Sequence, residues 1–375
     1  MNTQQSQSLV PPFTHDIDTQ KVRKAVARIV FITGTPATVR EGSGTYVGIS
    51  ALRKALIAIG LEVELIAPPV HLRSAFVRLW FNYRARTLMQ ALRPDAIVGF
   101  DLDGVFLSPR NVLDVACIKG VVAEELRFEK GIERVSLLIQ SYFERQRVQH
   151  AGRVLTTSHY AALTLENRYG LSAGEVRIVP ELIDLAHWQA ALGRAHRERR
   201  PEASILCVAH LYVRKDLGTL LRAMKCLQTT ALLRIAGIGP ELARLQQLSQ
   251  EVGVEDRVRF LEHISFAQLA QEYRNADVFC LPSRQEGFGI VLLEAMAAGL
   301  PIVAARAGAI PEVLQEGRCG VLIKPGDAGR FAAALDTLLQ EPAARHHLSQ
   351  AGLQRAARYD APGVAREFLT AIGFG

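Results

Sequence analysis

No stretch of this sequence is long and apolar enough to cross a membrane as a helix. A membrane helix needs ~18 consecutive apolar residues, and no charge-free run of the chain approaches that length. The first residues are rich in asparagine, glutamine, serine and threonine, and they lack the apolar core of a signal peptide. We therefore expect a cytoplasmic protein in which residues 1–24 form a flexible N-terminal arm.

Cysteine is scarce and shows no pattern. The chain has five cysteines, an odd number, and no two of them have the spacing of a metal site. Four of them lie in apolar surroundings. These features argue against a disulfide framework and favour free thiols in a reducing compartment.

Acidic residues are outnumbered by basic ones, 37 to 44, which gives a formal net charge of +7. This excess favours anionic ligands, acidic membrane surfaces or nucleic acid without choosing between them. No recognised nucleic-acid motif occurs, so nucleic acid is not expected as a partner. The length of 375 residues favours two or three domains with a large buried core.

Short apolar runs that read as buried strands alternate with helical patterns along most of the chain. This alternation predicts an α/β protein with two parallel-sheet domains. Ligands bind beyond the carboxyl ends of such strands, so the cleft between the domains is the expected site. We expect the first domain at residues 25–185, the second at 186–358 and a final helical segment at 359–375.

The most informative pattern is a strand, a glycine turn and a helix start in the second half. An apolar strand is expected at 278–281, and Gly287 and Gly289 allow a tight turn after it. A helix should then start near Ile290 and end at Gly299. The free N–H groups and the dipole of that helix start form a candidate anion site.

Two glutamates flank this anion site. Glu286 lies at the mouth of the turn, and Glu294 lies about one turn into the helix. Carboxylates bind sugar hydroxyls more readily than they bind phosphate. The anion site and the two glutamates together therefore predict a ligand with both a diphosphate and hydroxyl-rich rings. A strand, a glycine turn and an amphipathic helix also occur in every doubly wound domain, which leaves a purely structural interpretation open on spacing alone.

Two other glycine-rich turns precede predicted helices. Gly42, Ser43 and Gly44 open a helix in the first half, and Gly237 follows an expected strand at 232–236 in the second. The first turn is a second candidate anion site, or simply a helix start with flexible glycines.

The segment at residues 70–92 combines arginines and aromatic residues and contains no acid. Its members include Arg73, Arg78, Trp80, Arg84 and Arg86. The pattern is typical of a basic amphipathic helix that contacts an anionic membrane surface or an anionic acceptor. In the alternative interpretation, the aromatic side chains pack on the core and the arginines are solvated.

The two glutamates and their flanks resemble the signature of retaining glycosyltransferases of family 4, the glycosyl transferases group 1. Leu-Pro-Ser precedes Glu286, Glu-Gly-Phe-Gly lies within the pattern, and Leu-Glu-Ala-Met-Ala-Ala-Gly-Leu-Pro follows. The resemblance covers about residues 28–372 and is strongest over 204–325. It implies the GT-B fold, in which two Rossmann-like domains face a cleft and the C-terminal helix crosses back onto the first domain.

The resemblance also implies roles for residues of the cleft. Lys215 would hold the donor diphosphate, Glu286 would hold the sugar hydroxyls, and both are the predicted catalytic residues. Glu294 would bind the ribose hydroxyls. His210 stands where the family usually has a diphosphate-binding arginine, and Arg214 would compensate for it. The other predicted donor-binding residues are Gly44, Gly237, Gly287, Phe288, Gly289 and Ile290.

Two segments of the first domain depart from the family pattern. Lys119 stands at a strand end where related enzymes often carry a histidine near the donor sugar. We predict Lys119 and Ser43 on the acceptor side of the cleft. At the domain junction, where Asn-Gly-Val-Asp is usual, Asp184 matches and Glu181 departs.

The implied reaction moves a sugar from a nucleoside-diphosphate sugar to an acceptor hydroxyl with retention of configuration, in glycan, glycolipid or secondary-metabolite biosynthesis. No metal or other cofactor is expected, because basic side chains and helix amides would stabilise the leaving diphosphate. The Asp101-Leu-Asp103 sequence lies in the first domain and is interpreted as incidental. A sugar-nucleotide epimerase and a non-catalytic sugar-nucleotide-binding protein of the same fold remain alternatives. The donor base, the sugar and the acceptor are left open.

Overall fold

A computed structural model describes residues 27–36, 44–70, 72, 74–107, 112–196 and 202–374. The predicted arm at 1–24, Ser43 and Arg73 lie outside the described residues. Among the described residues, no helix has the length and apolar character needed to cross a membrane. All five cysteines are free thiols, and four of them are buried.

The first domain is built on a six-stranded parallel sheet. Its strands are β1 (Arg28–Ile32), β2 (Glu62–Ile66), β3 (Ala96–Phe100), β4 (Leu113–Ile118), β5 (Arg153–Thr156) and β6 (Val176–Ile178). Its helices are α1 (Gly44–Ala58), α2 (Ala75–Leu92), α3 (Val122–Glu125), α4 (Gly131–His150) and α5 (His159–Tyr169). The strands lie in the order β2-β1-β3-β4-β5-β6.

Helices cover both faces of this sheet. Successive side chains of β1 point to opposite faces, so Ile29 and Phe31 pack with α1, whereas Val30 and Ile32 pack with α2. All five residues of the central strand β3 are buried, as expected for a parallel strand that is covered on both sides.

The second domain repeats this plan. Its strands are β7 (Ala203–Val208), β8 (Ala231–Ala236), β9 (Val258–Glu262), β10 (Val278–Leu281), β11 (Ile302–Ala305) and β12 (Val321–Ile323), in the order β12-β11-β10-β7-β8-β9. Its helices are α6 (Leu185–Arg194), α7 (Leu217–Cys226), α8 (Leu242–Glu251), α9 (Phe266–Asn275), α10 (Ile290–Ala297), α11 (Ile310–Val313), α12 (Ala328–Gln340) and α13 (Pro342–Ala357). Short 3-10 turns lie at Val213–Lys215, Glu255–Arg257 and Gln315–Gly317.

The last helix, α14 (Ala361–Ile372), packs on the first domain. Phe368 is fully buried there, and its ring centroid lies 6.3 Å from that of Phe31 on β1. The backbone N–H of Ala361 donates to the carbonyl of Ile183 at 3.0 Å, which fixes the start of the helix. The predicted fold is therefore confirmed, with two parallel-sheet domains and a C-terminal helix that crosses back.

Hydrogen bonds hold the two domains together on either side of a cleft. The Ser158 hydroxyl, at the start of α5, donates to the carbonyl of Gly287 at 2.7 Å. The carboxylate of Glu312, from the second domain, accepts from the backbone N–H of His159 at 2.9 Å. Glu312 thereby satisfies an N–H group at the first turn of α5, where a negative charge is also favoured by the helix dipole.

Candidate functional site

A cavity of about 430 Å³ lies between the domains, at the carboxyl ends of both sheets. Loops after β4 and β6 supply its first-domain wall, and loops after β7 and β10 supply the opposite wall. Most of the residues predicted from the sequence line it. They are Gly44, Lys119, His210, Arg214, Lys215, Glu286, Gly287, Phe288, Gly289 and Ile290.

The turn before α10 owes its shape to glycines. Gly289 is the N-cap of α10 and has a φ of +92°, in the left-handed region that favours glycine. A Cβ atom at Gly287 would lie 2.7 Å from the carbonyl oxygen of Lys119, so the turn meets the first domain backbone to backbone. A Cβ atom at Gly308 would overlap the backbone of Glu286 from the other side. The turn is thus packed between two loops, and α10 begins at the cavity wall.

Lys215 and Glu286 form an ion pair in this wall. Lys215 Nζ lies 2.6 Å from Glu286 Oε1, and both side chains are largely buried. Burial raises the pKa of Glu286, but the charges of Lys215 and Arg214 outweigh burial and hold that pKa below its ordinary value. Burial lowers the pKa of Lys215, and Glu286 opposes that shift. The structure therefore joins the two predicted catalytic residues in one charged pair.

Arg214 crosses the cleft to the first domain. Its guanidinium lies 3.1 Å from the carboxylate of Glu125, at the end of α3, and 5.4 Å from the centre of the Tyr212 ring. The His210 ring centroid lies 5.9 Å from the same tyrosine ring. The sequence did not reveal Glu125 or Tyr212 as site residues. Glu125 belongs to no motif and meets Arg214 only because the two domains face each other, and Tyr212 stands close to Arg214 in the chain without a signal of its own.

Lys119 pairs with Glu181 on the first-domain wall. Its Nζ lies 3.0 Å from Glu181 Oε2, and less than a tenth of either side chain is exposed. Burial lowers the pKa of Lys119, but the attraction of Glu181 and other nearby groups outweighs burial and leaves the pKa raised. Sequence reasoning missed Glu181 as a site residue. The available signal was that Lys119 and Glu181 both depart from the family pattern.

Glu294 is not among the lining residues. It lies one turn inside α10, where its carboxylate accepts from the hydroxyl of Tyr273 at 2.8 Å. Burial raises the pKa of Glu294 to about 7, and the hydrogen bond from Tyr273 opposes that rise. A group with this pKa is partly protonated near neutral pH.

Gly237 also lies outside the cavity wall, but it shapes the wall. Its φ is +143°, and a Cβ atom there would overlap the carbonyl oxygen of Ala209. The end of β8 therefore approaches the loop after β7 at a distance that only glycine permits. The next residues, Ile238 and Gly239, line the cavity.

Arg78 does not lie on the predicted basic surface of α2. Its guanidinium lies 2.7 Å from Asp103 Oδ2, and only 16% of its side chain is exposed. Asp103 is fully buried and needs a cation, because an unpaired buried carboxylate is strongly unfavourable. The prediction of a membrane contact by Arg78 is therefore wrong. The Asp101-Leu-Asp103 sequence, interpreted as incidental, has a structural role through Asp103.

One face of α2 is exposed, whereas Ala85 and Met89 on the other face pack on the core. Phe76, Trp80 and Tyr83 are 72%, 62% and 62% exposed, so the alternative in which the aromatic side chains pack on the core is wrong for these three. It is confirmed for Phe81, which packs against the core cluster beneath α2. Arg84 and Arg86 are also exposed, and the Arg84 guanidinium lies 5.4 Å from the centre of the Trp80 ring.

Comparison with protein families matches residues 191–355 to the family described as glycosyl transferases group 1. D-inositol 3-phosphate glycosyltransferase 2 of Catenulispora acidiphila is 32% identical over 232 residues, which is 58% of this chain and 54% of that protein. Phosphatidyl-myo-inositol mannosyltransferase of Mycobacterium leprae is 40% identical over 162 residues, 42% of each protein. The chain thus spans about half the length of these curated relatives.

Solved structures share the fold over nearly the whole chain. Sucrose-phosphate synthase from Thermosynechococcus elongatus has a TM-score of 0.78 at 22% identity, with 92% of this chain and 98% of that chain covered. HepE of Anabaena, solved with UDP-glucose, has a TM-score of 0.71 at 17% identity, with 93% and 100% covered. Residues 191–355 thus match the model of the glycosyl transferases group 1 family, and the chain as a whole has the GT-B fold of these solved structures.

Proposed function

We propose that this protein is a retaining glycosyltransferase that moves a sugar from a nucleoside-diphosphate sugar to an acceptor hydroxyl. The observation that carries the proposal is the Lys215–Glu286 pair at the glycine turn before α10, inside the interdomain cavity. A cation, a helix N-terminus and a carboxylate meet there. Such a set binds a diphosphate next to hydroxyl groups.

In this proposal the second domain holds the donor. Lys215 and the first N–H groups of α10 bind the diphosphate and stabilise the charge that develops on it as it leaves. Arg214 and His210 extend this positive wall. Glu286 accepts hydrogen bonds from hydroxyls of the transferred sugar. Glu294, one turn further along α10 and outside the cavity wall, is assigned the ribose hydroxyls.

The proposed reaction exchanges one bond of the sugar for another on the same face. The bond between the anomeric carbon and the diphosphate oxygen breaks, and a bond to the acceptor oxygen forms. The acceptor's proton passes to the departing phosphate oxygen. Glu286 does not act as a nucleophile in this scheme, because the acceptor oxygen attacks the anomeric carbon directly and Glu286 holds hydroxyls of the transferred sugar.

We also propose that the reaction proceeds without a metal ion. Lys215 and the helix amides supply the positive charge that Mg²⁺ supplies in other sugar-nucleotide enzymes. In the part of the chain that the structure describes, no group of three or more His, Cys, Asp or Glu is arranged to hold a metal.

The function is tested with UDP-glucose and GDP-mannose in the presence of EDTA, with glucose and inositol supplied as acceptors. We expect one of these donors to raise the melting temperature by mass action. We also expect release of the nucleoside diphosphate and an α-linked product detected by NMR. Binding without release would favour the non-catalytic alternative, a changed sugar without release would favour an epimerase, and a β-linked product would contradict retention.

An exposed apolar face on α2 and α4 supports a peripheral membrane contact on the cytoplasmic side. The two helices contact each other. On α2 the exposed apolar residues include Phe76, Trp80 and Tyr83, and α4 adds a stripe at helical spacing. That stripe consists of Ile132, Val135, Leu138 and Tyr142, which are 49–85% exposed. Arg84 and Arg86 supply charge complementary to anionic lipid headgroups. We propose that this face brings the cleft to a lipid-linked or membrane-associated acceptor.

Replacing Trp80 and Arg84 together with alanine is expected to weaken binding to vesicles of 30% phosphatidylserine by about tenfold or more. The lost binding free energy has two parts: the burial of the large apolar Trp80 side chain in the membrane, and about 1 kcal/mol for the charge of Arg84. Co-sedimentation at low salt measures it. Leu163→Ala, which removes a 57% exposed leucine on α5, is the matched control and should leave binding unchanged. Failure of the wild-type protein to bind these vesicles would remove the membrane contact.

A further inference from the structure

The Lys119–Glu181 pair lies where two strands of the first sheet end at the cleft. Lys119 directly follows β4, and Glu181 lies three residues after β6. Both side chains line the cavity. The ammonium and the carboxylate are 3.0 Å apart, and each side chain is more than nine-tenths buried. Charges buried to this degree persist because each has the other as a partner.

The surrounding backbone fixes this pair in place. A Cβ atom at Gly48 of α1 would overlap the carboxylate of Glu181, so the helix leaves room for that group only because it has glycine there. The backbone N–H of Lys119 donates to Asp101 Oδ1 at 2.9 Å. The carbonyl of Lys119 meets Gly287 in the turn that carries Glu286. The pair is therefore held rigidly on the first domain, next to the sugar-binding turn of the second.

The pair retains unused hydrogen-bonding capacity. A lysine ammonium has three donors, and within the described residues Glu181 is its only hydrogen-bond partner. The carboxylate of Glu181 accepts that bond through Oε2, which leaves Oε1 for another donor. Polar groups buried at a cavity wall are normally satisfied, so these positions are fitted to water or to a ligand.

The charges decide which ligand fits. Each member of the pair neutralises the other, so the pair does not attract a phosphate or a carboxylate as a lone lysine would. It presents N–H donors beside a carboxylate acceptor, a combination that matches neighbouring hydroxyls on a sugar ring. We propose that the Lys119–Glu181 pair binds neighbouring hydroxyls of an uncharged sugar ring in the cleft and selects against acidic sugars. This inference rests on the proposed function.

Those hydroxyls belong either to the transferred sugar or to a sugar acceptor. The two sources are distinguished by which affinity changes when the pair is removed. Lys119→Met/Glu181→Leu removes both charges together and leaves neither one unpaired, which preserves folding. If the transferred sugar is the source, this variant should bind UDP within about twofold of wild type and bind UDP-glucose at least about tenfold more weakly. GDP and GDP-mannose are tested in parallel.

If the acceptor is the source, the variant should bind UDP, UDP-glucose, GDP and GDP-mannose with wild-type affinity. It should instead bind glucose or inositol about tenfold more weakly when the protein is saturated with nucleotide. Unchanged affinity for every one of these compounds would show that the pair is purely structural and would overturn the inference. Weaker binding of UDP or GDP alone would assign Lys119 to the diphosphate and overturn it as well.

A second variant tests selection by charge. Glu181→Gln keeps the size of the side chain but leaves the ammonium of Lys119 uncompensated. If the transferred sugar is the source, it should shift preference from UDP-glucose towards UDP-glucuronic acid by about tenfold relative to wild type, because the lysine is then free to pair with the sugar carboxylate. If the acceptor is the source, the same shift should appear between glucose and glucuronic acid. A merely structural pair would change neither ratio.

The outcomes separate this inference from the proposed function. If wild-type protein binds none of the nucleotides or nucleotide sugars, the proposed function fails. The affinity of the nucleotide-free protein for glucose and inositol then tests whether the Lys119–Glu181 pair binds a sugar. Loss of that binding in the double variant supports it, and no binding to wild type overturns it.

Discussion

Replacing Lys215 with alanine is expected to lower kcat/KM for sugar transfer by at least about 100-fold, the usual effect of removing one preorganised group that stabilises developing negative charge. The lysine is the only cation within ion-pair distance of Glu286 in the part of the chain described. Its loss removes the proposed diphosphate ligand and also frees Glu286 from its ion pair. The nucleoside diphosphate should therefore lose most of its stabilising effect on the folded protein as well.

The matched control is Lys225→Ala, which removes an exposed lysine from the last turn of α7. It should leave kcat/KM and the nucleotide-induced shift in melting temperature unchanged. Because Lys215→Ala leaves a buried carboxylate unpaired, Lys215→Met/Glu286→Gln is measured beside it to separate folding from function. A Lys215→Ala protein that is folded and retains wild-type kcat/KM would remove Lys215 from the donor site.

Replacing Gly237 with alanine is expected to lower the free energy of unfolding by about 3 kcal/mol or more, because steric overlap and a strained backbone act together. The new Cβ atom would overlap the carbonyl oxygen of Ala209, and the φ of +143° is unfavourable for any residue with a side chain. The backbone on both sides belongs to the central part of the second sheet. Relief of the overlap therefore requires β7 and β8 to separate.

Urea unfolding measures this loss. Gly193→Ala is the control, because Gly193 lies in α6 and a Cβ atom there meets nothing within 4 Å. That substitution should be neutral or should stabilise the protein by up to about 1 kcal/mol, the difference in helix propensity between glycine and alanine. Equal stability of the two variants would mean that the approach of β8 to Ala209 is looser than the structure shows.

The local patterns of the sequence located the donor-side elements closely. The apolar run at 278–281 is β10, and the predicted helix start at Ile290 is the first residue of α10. These features depend on short-range chemistry, namely a buried parallel strand, a glycine with positive φ and a helix start. The crossing of the last helix followed from the family resemblance and not from any local pattern.

Ion pairs between residues that are distant in the chain could not be predicted from the sequence. Arg78 was placed on the surface with its helical neighbours, but Asp103, which is 25 residues away in the chain, draws it inward. Glu181 could not be recognised as a site residue from its own surroundings in the sequence, because its partner Lys119 is 62 residues away. A buried charge and its partner can be recognised in a sequence separately, but their meeting depends on how the strands and helices pack.

The three ion pairs of the cleft have a consequence for selectivity. The lysine and arginine side chains that line the cavity are Lys119, Arg214 and Lys215, and each one is matched by a carboxylate that also lines the cavity. The cleft therefore supplies its own counterions, and an incoming anion must displace a glutamate to gain a lysine or an arginine. A simple anion such as sulfate leaves the displaced carboxylate without a partner, so it is a poor competitor. A ligand that carries hydroxyls beside its diphosphate gives the carboxylate new donors, and this exchange makes the cleft selective for molecules that have both parts.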